Sequence, residues 1–249
     1  MGGRKLYELL APFMLEHQIK LGRDAVFDLL AANSLLVRRR KRSVRTTNSS
    51  HWLRKYPNLV RGLVPSRSNQ LWVSDITYWR IETGHLYLSL ITDAYSRKIV
   101  GYQLASTLEA AESVLALQMA LATSPPVPGR LIHHSDRGVQ YCSSAYVELL
   151  QERDIAISMT ENGDPLENAV AERVNGILKQ EYLECYQVEN MTQAKELLSQ
   201  VVELYNQQRP HMSIGNMMPA QLHEENQQRE KLWKNYYTKN RTLVKQTQD

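Results

Sequence analysis

Cysteine is nearly absent from these 249 residues: Cys142 and Cys185 stand alone and form no C-x-x-C pair. Neither a disulfide framework nor a zinc ribbon is therefore indicated, and a reducing compartment fits. No apolar run approaches the ~20 residues that a membrane-spanning helix requires. The leading apolar stretch is broken by Glu8, Pro12 and Glu16, unlike the uninterrupted core of a signal peptide. Met1-Gly2-Gly3 begins like a myristoylation site, but Leu6 stands where Ser or Thr is required. These absences lead us to expect a soluble, intracellular protein.

What is present is ordinary in amount and uneven in place. Hydrophobic residues make up 43% of the chain and charged residues 22%, a globular composition in a chain long enough for one large domain or a medium and a small one. Residues 1–70 carry 14 Lys and Arg against 4 Asp and Glu, whereas the rest of the chain carries 16 against 22. A basic front before a mildly acidic body points to a polyanion partner, nucleic acid above all; the alternative is a solvated, disordered linker. Helical apolar spacing runs from Arg4 to His17, with Pro12 inside it, and from Arg23 to Ala32, with Gly22 in the turn between. The pair fits a helix-turn-helix, as it fits any small helical hairpin. Arg38, Arg39, Arg40, Lys41 and Arg42 follow, then Arg45, Arg54, Lys55, Arg61 and Arg67, a set able to neutralise phosphates without reading sequence. The spacing predicts a helical region over 1–45, a basic linker over 46–69 that orders mainly on DNA, a core over 70–223 and a charged, fraying tail over 224–249.

The core opens on Leu71-Trp72-Val73-Ser74-Asp75-Ile76-Thr77-Tyr78-Trp79, a β-branched and aromatic run that predicts a strand covered on both faces. An ionised Asp in its middle suffers a large desolvation penalty unless paired or metal-bound. Its partner is an Arg or an amide if Asp75 is structural, or a metal ion if it is functional. Glu82-Thr83-Gly84 turns into a second strand, 85–92, and Asp93 to Arg97 into a third, 98–104. Ser106 and Glu109 read as a capping box for a helix through Leu121 that ends at Pro125 and Pro126. A fourth strand, 130–134, delivers Asp136. A helix over 144–152, a strand over 155–159, a helix from near Glu167 and one over 192–206 complete the pattern. On the helix near Glu167, Asn168, Glu172, Asn175, Gly176 and Lys179 form one stripe, with Val170, Val174 and Ile177 opposite. A polar stripe is commonly solvated surface. If the first and fourth strands are neighbours, however, Asp75 and Asp136 meet and the helix brings Glu172 over them. Three converging carboxylates require divalent cations between them, and oxygen-only ligation favours Mg²⁺ or Mn²⁺ over Zn²⁺. Two such ions clamp the attacking and leaving oxygens of phosphoryl transfer.

Several strings carry a resemblance. "WVSDITY" around Asp75, "HHSDRGVQYCS" around Asp136, "NAVAERVNGILKQE" around Glu172 and "YNQQRPH" at Tyr205 resemble the Asp-Asp-Glu recombinases of the retroviral-integrase superfamily in their bacterial insertion-sequence form. The resemblance is to the insertion-sequence-three group, whose second reading frame encodes the integrase-like core. Asp136 and Glu172 are separated by 35 residues, and Lys179 follows Glu172 by seven, in keeping with it. The likeness covers about residues 58–222 closely and the first 45 more loosely. It implies a ribonuclease-H-like five-stranded mixed sheet flanked by helices, with Asp75, Asp136 and Glu172 as catalytic residues holding two Mg²⁺ ions (Mn²⁺ substituting). It further implies cleavage at the element's ends and strand transfer by 3′-hydroxyl attack, with no covalent protein intermediate. Lys179 and Asn168 are then DNA contacts, together with the Arg38–Arg42 run. The implied setting is the bacterial cytoplasm at the nucleoid, as a homodimer or higher synaptic oligomer. Glu167 stands where the family usually has Asp. The chain opens at "GGRKLYELL", where relatives carry more helix, which fits either a trimmed start or the downstream part of a frameshift product, the latter with recognition shared by a first-reading-frame partner protein.

Two other functions compete: a ribonuclease-H-like metal nuclease that only hydrolyses, and a catalytically silent DNA-binding relic or regulator. A retroviral integrase proper is disfavoured by the lack of a His-His-Cys-Cys zinc module. Among smaller candidates, His133 and His134 alternate to opposite faces and are read as packing inside and satisfying a backbone group. Trp72 and Trp79 are read as core, and Cys142 as a small buried residue. Arg209-Pro210-His211 is either a DNA contact or a helix-ending turn.

Overall fold

A computed structural model describes residues 2–36, 51–161 and 168–226; Arg38–Arg42, Glu167 and most of the charged tail lie outside the described residues. In front stand α1 (Gly3–Glu16) and α2 (Arg23–Ala32). Met14, Val26 and Leu30 are buried between them, with Leu6, Tyr7 and Leu10 packed alongside. Pro12 sits inside α1.

The core has the predicted strands and longer helices in order: β1 (Leu71–Ile81), β2 (Gly84–Asp93), β3 (Ile99–Ala105), α3 (Ala110–Thr123), β4 (Ile132–Ser135), α4 (Val139–Cys142), α5 (Ser144–Glu152), β5 (Ala156–Met159), α6 (Ala169–Glu181), α7 (Met191–Gln208) and α8 (Pro219–Glu225). The periodicities did not predict the two short helices, α4 and α8. The five strands form one sheet in the order β3-β2-β1-β4-β5. The β1–β2–β3 meander is antiparallel, and β4 and β5 join it in parallel, each after a helical crossover as parallel pairing requires. The β1–β2 turn is tight because Gly84 takes φ +143°, a region open to glycine.

Burial on both faces is what the unalternating β1 run anticipated. On one face Trp72, Ile91, Val100, Leu131 and Ile157 pack with Ala116, Leu117, Tyr146 and Leu150 of α3 and α5. On the other, Trp79, Leu86, Leu88, Leu90 and Leu104 pack with Val174, Ile177 and Leu178 of α6 and with Leu198, Val201 and Tyr205 of α7. Trp72 and Trp79 are therefore core. Gly101 lets α3 approach β3, since a Cβ there would collide with the Ala116 carbonyl oxygen and the Ala120 methyl.

Two expectations are corrected and one open reading is resolved. The helix after β3 begins at Ala110 with Glu109 as N-cap, and no side-chain cap is made; Ser106 lies too far upstream to close a capping box. The segment expected to order mainly on DNA is, over its described part, laid against the core. The Pro57 carbonyl accepts from Met159 N, Leu59 N donates to Ser158 Oγ at 2.9 Å, and Asn58 N donates to Glu161 Oε1 at 3.0 Å. Leu53, Tyr56, Val60 and Leu63 add apolar contacts, so this stretch satisfies the outer edge of β5, an edge that natural sheets cover. Of the two readings of Arg209-Pro210-His211, the structure shows the helix-ending turn, with Arg209 as the C-cap of α7. Its guanidinium is 0% exposed and grips Glu181 through two 2.9 Å bonds, tying the end of α7 to the end of α6.

The carboxyl-terminal α8 is tied down by a buried polar network. Asp93 accepts from the backbone of Asn69, Tyr95 and Ser96. His223 of α8 lies 3.0 Å from Ser96 Oγ and 2.8 Å from Ser124 Oγ. Ser124, His223 and Asp93 thus form a hydroxyl, imidazole and carboxylate series, but Ser124 and Asp93 are buried and the series acts as a structural clamp.

Candidate active site

Parallel pairing of β1 with β4 runs through Leu71, Trp72 and Val73 only, with Val73 opposite His134. Two residues beyond that last pair on each strand come Asp75 and Asp136, so the register brings them together where the strands part. Asp75 lies opposite Leu90 of β2 and lines a cleft with Asp136. Its carboxylate accepts from Asn175 Nδ2 at 2.8 Å and from Ile76 N at 3.0 Å. Burial pushes the Asp75 carboxyl up to about 7, and the neighbouring Asp136 charge pushes it the same way. The Asn175 bond pulls it down, and the Glu172 charge raises it further. Asp136, one residue past the end of β4, accepts from Gly138 N at 2.9 Å.

Helix α6 lies along this edge of β1. Asn168, its N-cap, is buried and donates from Nδ2 to the Ser74 carbonyl at 2.9 Å; its Oδ1 has no hydrogen-bond partner among the described residues. Glu172 is in the first turn and exposed, with its carboxyl raised by partial burial. Lys179 Nζ stands 3.4 Å from Thr77 Oγ1 and 4.2 Å from the centre of the Tyr78 ring. The polar stripe thus runs beside Ser74 to Tyr78. Asn175, in the sequence only one member of that stripe, is the residue that holds Asp75; its signal is its spacing, three residues after Glu172 and four before Lys179.

The structure brings Asp75 and Asp136 together and sets Glu172 close enough to act on Asp75 through its charge. Among the described residues, however, no three His, Cys, Asp or Glu side chains stand together as a metal-holding group. The fit to divalent cations rests on two oxygen-donor carboxylates facing one cleft, one of them kept from easy ionisation by burial and, after that, by the charge of the other. That repulsion is what a cation between them relieves. Arg38–Arg42 lie outside the described residues.

Beneath the carboxylates the histidines are structural. His133 Nε2 lies 2.7 Å from Ser74 Oγ and 2.9 Å from the Tyr146 hydroxyl, and burial pushes the imidazole down to about 3. His134 Nδ1 lies 2.8 Å from Ser158 Oγ. Both rings meet side-chain hydroxyls, whereas strand alternation alone predicts one of them on a backbone group. Cys142 is buried and its thiol pushed up by that burial, the opposite of an activated nucleophile.

Integrase core domain families match residues 65–165 and 153–219. A 31 kDa protein of insertion element IS600 from Shigella sonnei is 37% identical over 225 residues, spanning 90% of this chain and 81% of its own length. The chain belongs to the insertion-sequence transposases with an integrase core domain. The transposase for insertion sequence element IS629 from Shigella sonnei is 32% identical, over 88% of this chain and 72% of that protein. Transposase InsF for insertion sequence IS3fB of Escherichia coli is 33% identical over 71% of this chain and 62% of that protein. Among solved structures, the HTLV-2 integrase catalytic core domain in complex with magnesium aligns with a TM-score of 0.50 at 20% identity, over 66% of this chain and 99% of that one. The simian T-cell lymphotropic virus intasome aligns with 0.57 at 18%, over 89% and 74%. These share the ribonuclease-H-like fold with the transposase, which is a DNA-recombining enzyme of the polynucleotidyl-transferase type.

Proposed function

We propose that Asp75, Asp136 and Glu172 are the catalytic residues of this transposase and that they hold two Mg²⁺ ions, or Mn²⁺ in their place. The observation that carries this reading is the pairing of Asp75 with Asp136 at the parting of β1 and β4, where their charges oppose each other inside one cleft. The magnesium named with the HTLV-2 integrase core supports the choice of ion. When bound, such ions activate the attacking oxygen and neutralise the leaving one in an in-line displacement.

The chain's own residues do the rest. Asn175 fixes one Asp75 oxygen, leaving the cleft side of the carboxylate for ligation. Glu172, on the first turn of α6, completes the oxygen set from above. Lys179 offers an ammonium beside β1 for a phosphate of the DNA end, and Asn168 orients the start of α6 against Ser74. Water hydrolyses a phosphodiester at the element's end, and the freed 3′-hydroxyl then attacks a target phosphodiester. The number of phosphodiester bonds is unchanged in that joining step, and no bond to protein forms. Residues 1–45 and the Arg38–Arg42 run bind DNA ahead of the core, residues 46–69 link them, residues 70–223 form the catalytic core and residues 224–249 a charged tail. Two ends are synapsed by a homodimer or higher oligomer at the bacterial nucleoid, with a first-reading-frame partner assisting recognition.

The test is to incubate the protein with a labelled duplex bearing its element's terminal repeat and Mg²⁺, Mn²⁺ or EDTA. Nicked and joined products that depend on metal and vanish in Asp136→Asn are expected. Cleavage without joining would make it a metal nuclease, and binding without either product a relic or regulator.

A further inference from the structure

The cleft at the carboxylates continues past them. β4 stops pairing with β1 at Val73, so beyond that point β1 is paired with β2 alone and its other side opens onto the cleft. On β1, Ile76 and Tyr78 alternate onto the face opposite Asp75. Tyr78 pairs across with Tyr87, and its ring meets His85 edge-on at 5.8 Å. Those side chains form one wall of the cleft; Leu108 and the turn Gly138 to Tyr141 form the other, and Asp75 and Asp136 stand at one end. The cavity is about 400 Å³, within the range of small-molecule pockets.

Two observations say what it is built to take. Its lining is mostly apolar and aromatic, through Ile76, Tyr78, Tyr87, Leu108, Val139 and Tyr141, with Gln140 and His85 as polar edges and the two carboxylates beside it, so the cavity suits a flat group with hydrogen-bonding edges attached to something charged. The second is Tyr141, which lines the cavity and is 3% exposed, and whose buried hydroxyl has no hydrogen-bond partner among the described residues. Such an orphan is costly unless a ligand satisfies it. The group in a DNA strand that is flat, stacks on aromatic faces, carries hydrogen-bonding edges and lies one sugar away from a phosphate is the base.

We propose that this cleft takes one unstacked nucleobase of the strand whose phosphodiester lies at Asp75 and Asp136, with Tyr78, Tyr87 and His85 as the stacking surface and the Tyr141 hydroxyl as hydrogen-bond donor. The inference rests on the catalytic reading above and deepens it. A base drawn out of the duplex fixes the rotation of its own sugar and phosphate, which positions the phosphodiester against the carboxylates. Any base offers a face for stacking, so preference among bases falls to Tyr141.

The experiment uses the full chain and duplexes of the terminal repeat carrying 2-aminopurine, or an abasic sugar, at successive positions beside the cleavage site. With the wild-type protein, 2-aminopurine at one position is expected to change its fluorescence several-fold on binding, and the abasic sugar there to weaken binding roughly ten-fold, as loss of one base–aromatic stack does. In Tyr87→Leu, and in His85→Ala at an exposed position, the abasic penalty should shrink to under about two-fold by the same reasoning. Tyr141→Phe should keep the fluorescence change but level the preference among bases at that position. Metal-dependent nicking that persists while no position responds, or an abasic penalty equal in wild type and both stacking variants, overturns the inference and leaves the catalytic reading standing. Loss of both nicking and duplex binding in the wild type overturns that reading and the inference with it.

Discussion

At Asp75, burial and a neighbouring carboxylate act in one direction, and an amide opposes them. With its carboxyl pushed up to about 7, the folded protein binds a proton there more readily than the unfolded chain, whose Asp titrates near 4. A raised carboxyl means that stability falls as pH rises from about 4 through 7. The metal-free transposase should therefore lose thermal stability between pH 5 and 8, added Mg²⁺ should restore it at pH 8, and Asp75→Asn should flatten the trend. Melting curves in EDTA and in Mg²⁺ check this; an equal slope in Asp75→Asn would place the strain elsewhere. Asn175→Ala removes the bond that pulls the Asp75 carboxyl down, so the acidic limb of the pH–rate profile should move to higher pH. Cleavage at pH 7 should fall roughly five-fold and recover most of the way at pH 8.5, following a shift of about one pH unit. A uniform loss across pH would instead mean a fold defect. Asp75 was legible in the sequence because a charge interrupts an apolar strand. Asn175 was not, because an amide on a polar stripe looks the same whether it faces water or a carboxylate.

Among the elements, periodicity placed every strand and the longer helices of the core in order, since both faces of the sheet are covered and the apolar runs are correspondingly dense. What periodicity could not place were features decided by distant contacts. The Arg209-Pro210-His211 turn is one: nothing local says that the Arg209 guanidinium meets Glu181, 28 positions earlier. The stretch before β1 is another, its basic residues concealing the four apolar ones that dock it. Removing one partner of a buried ion pair costs about 3–5 kcal/mol, so Arg209→Met should lower the urea midpoint sharply, and the double variant with Glu181→Leu should recover much of the loss. Urea unfolding of the single and double variants checks this; additive losses would contradict it. Gly101→Val should cost about 1–3 kcal/mol through overpacking, because the Ala116 backbone cannot retreat without moving α3; an unchanged urea midpoint would contradict that close packing.

At the scale of the whole molecule, the charge is asymmetric, with a basic front before an acidic body, two of whose carboxylates, Asp75 and Asp136, line one cleft; on the proposed reading the front meets the DNA backbone. Replacing Arg38–Arg42 by Gln should weaken binding to any duplex and reduce the slope of log affinity against log salt by about 0.9 for each phosphate no longer neutralised. An unchanged slope would show that the run does not touch phosphate. The charge asymmetry itself was readable from composition alone. The meeting of the carboxylates was readable only through the assumption that the first and fourth strands are neighbours, a long-range pairing that β1 and β4 realise over three residue pairs.

The most direct test of the central claim is strand transfer from a pre-cut terminal repeat with a free 3′-hydroxyl, in Mg²⁺, compared among the wild type, Asp75→Asn, Asp136→Asn and Glu172→Gln. Joined product from the wild type and none from any of the three, with duplex binding retained in all, is the predicted result. Substantial joining by any one of the variants would remove that residue from the catalytic set.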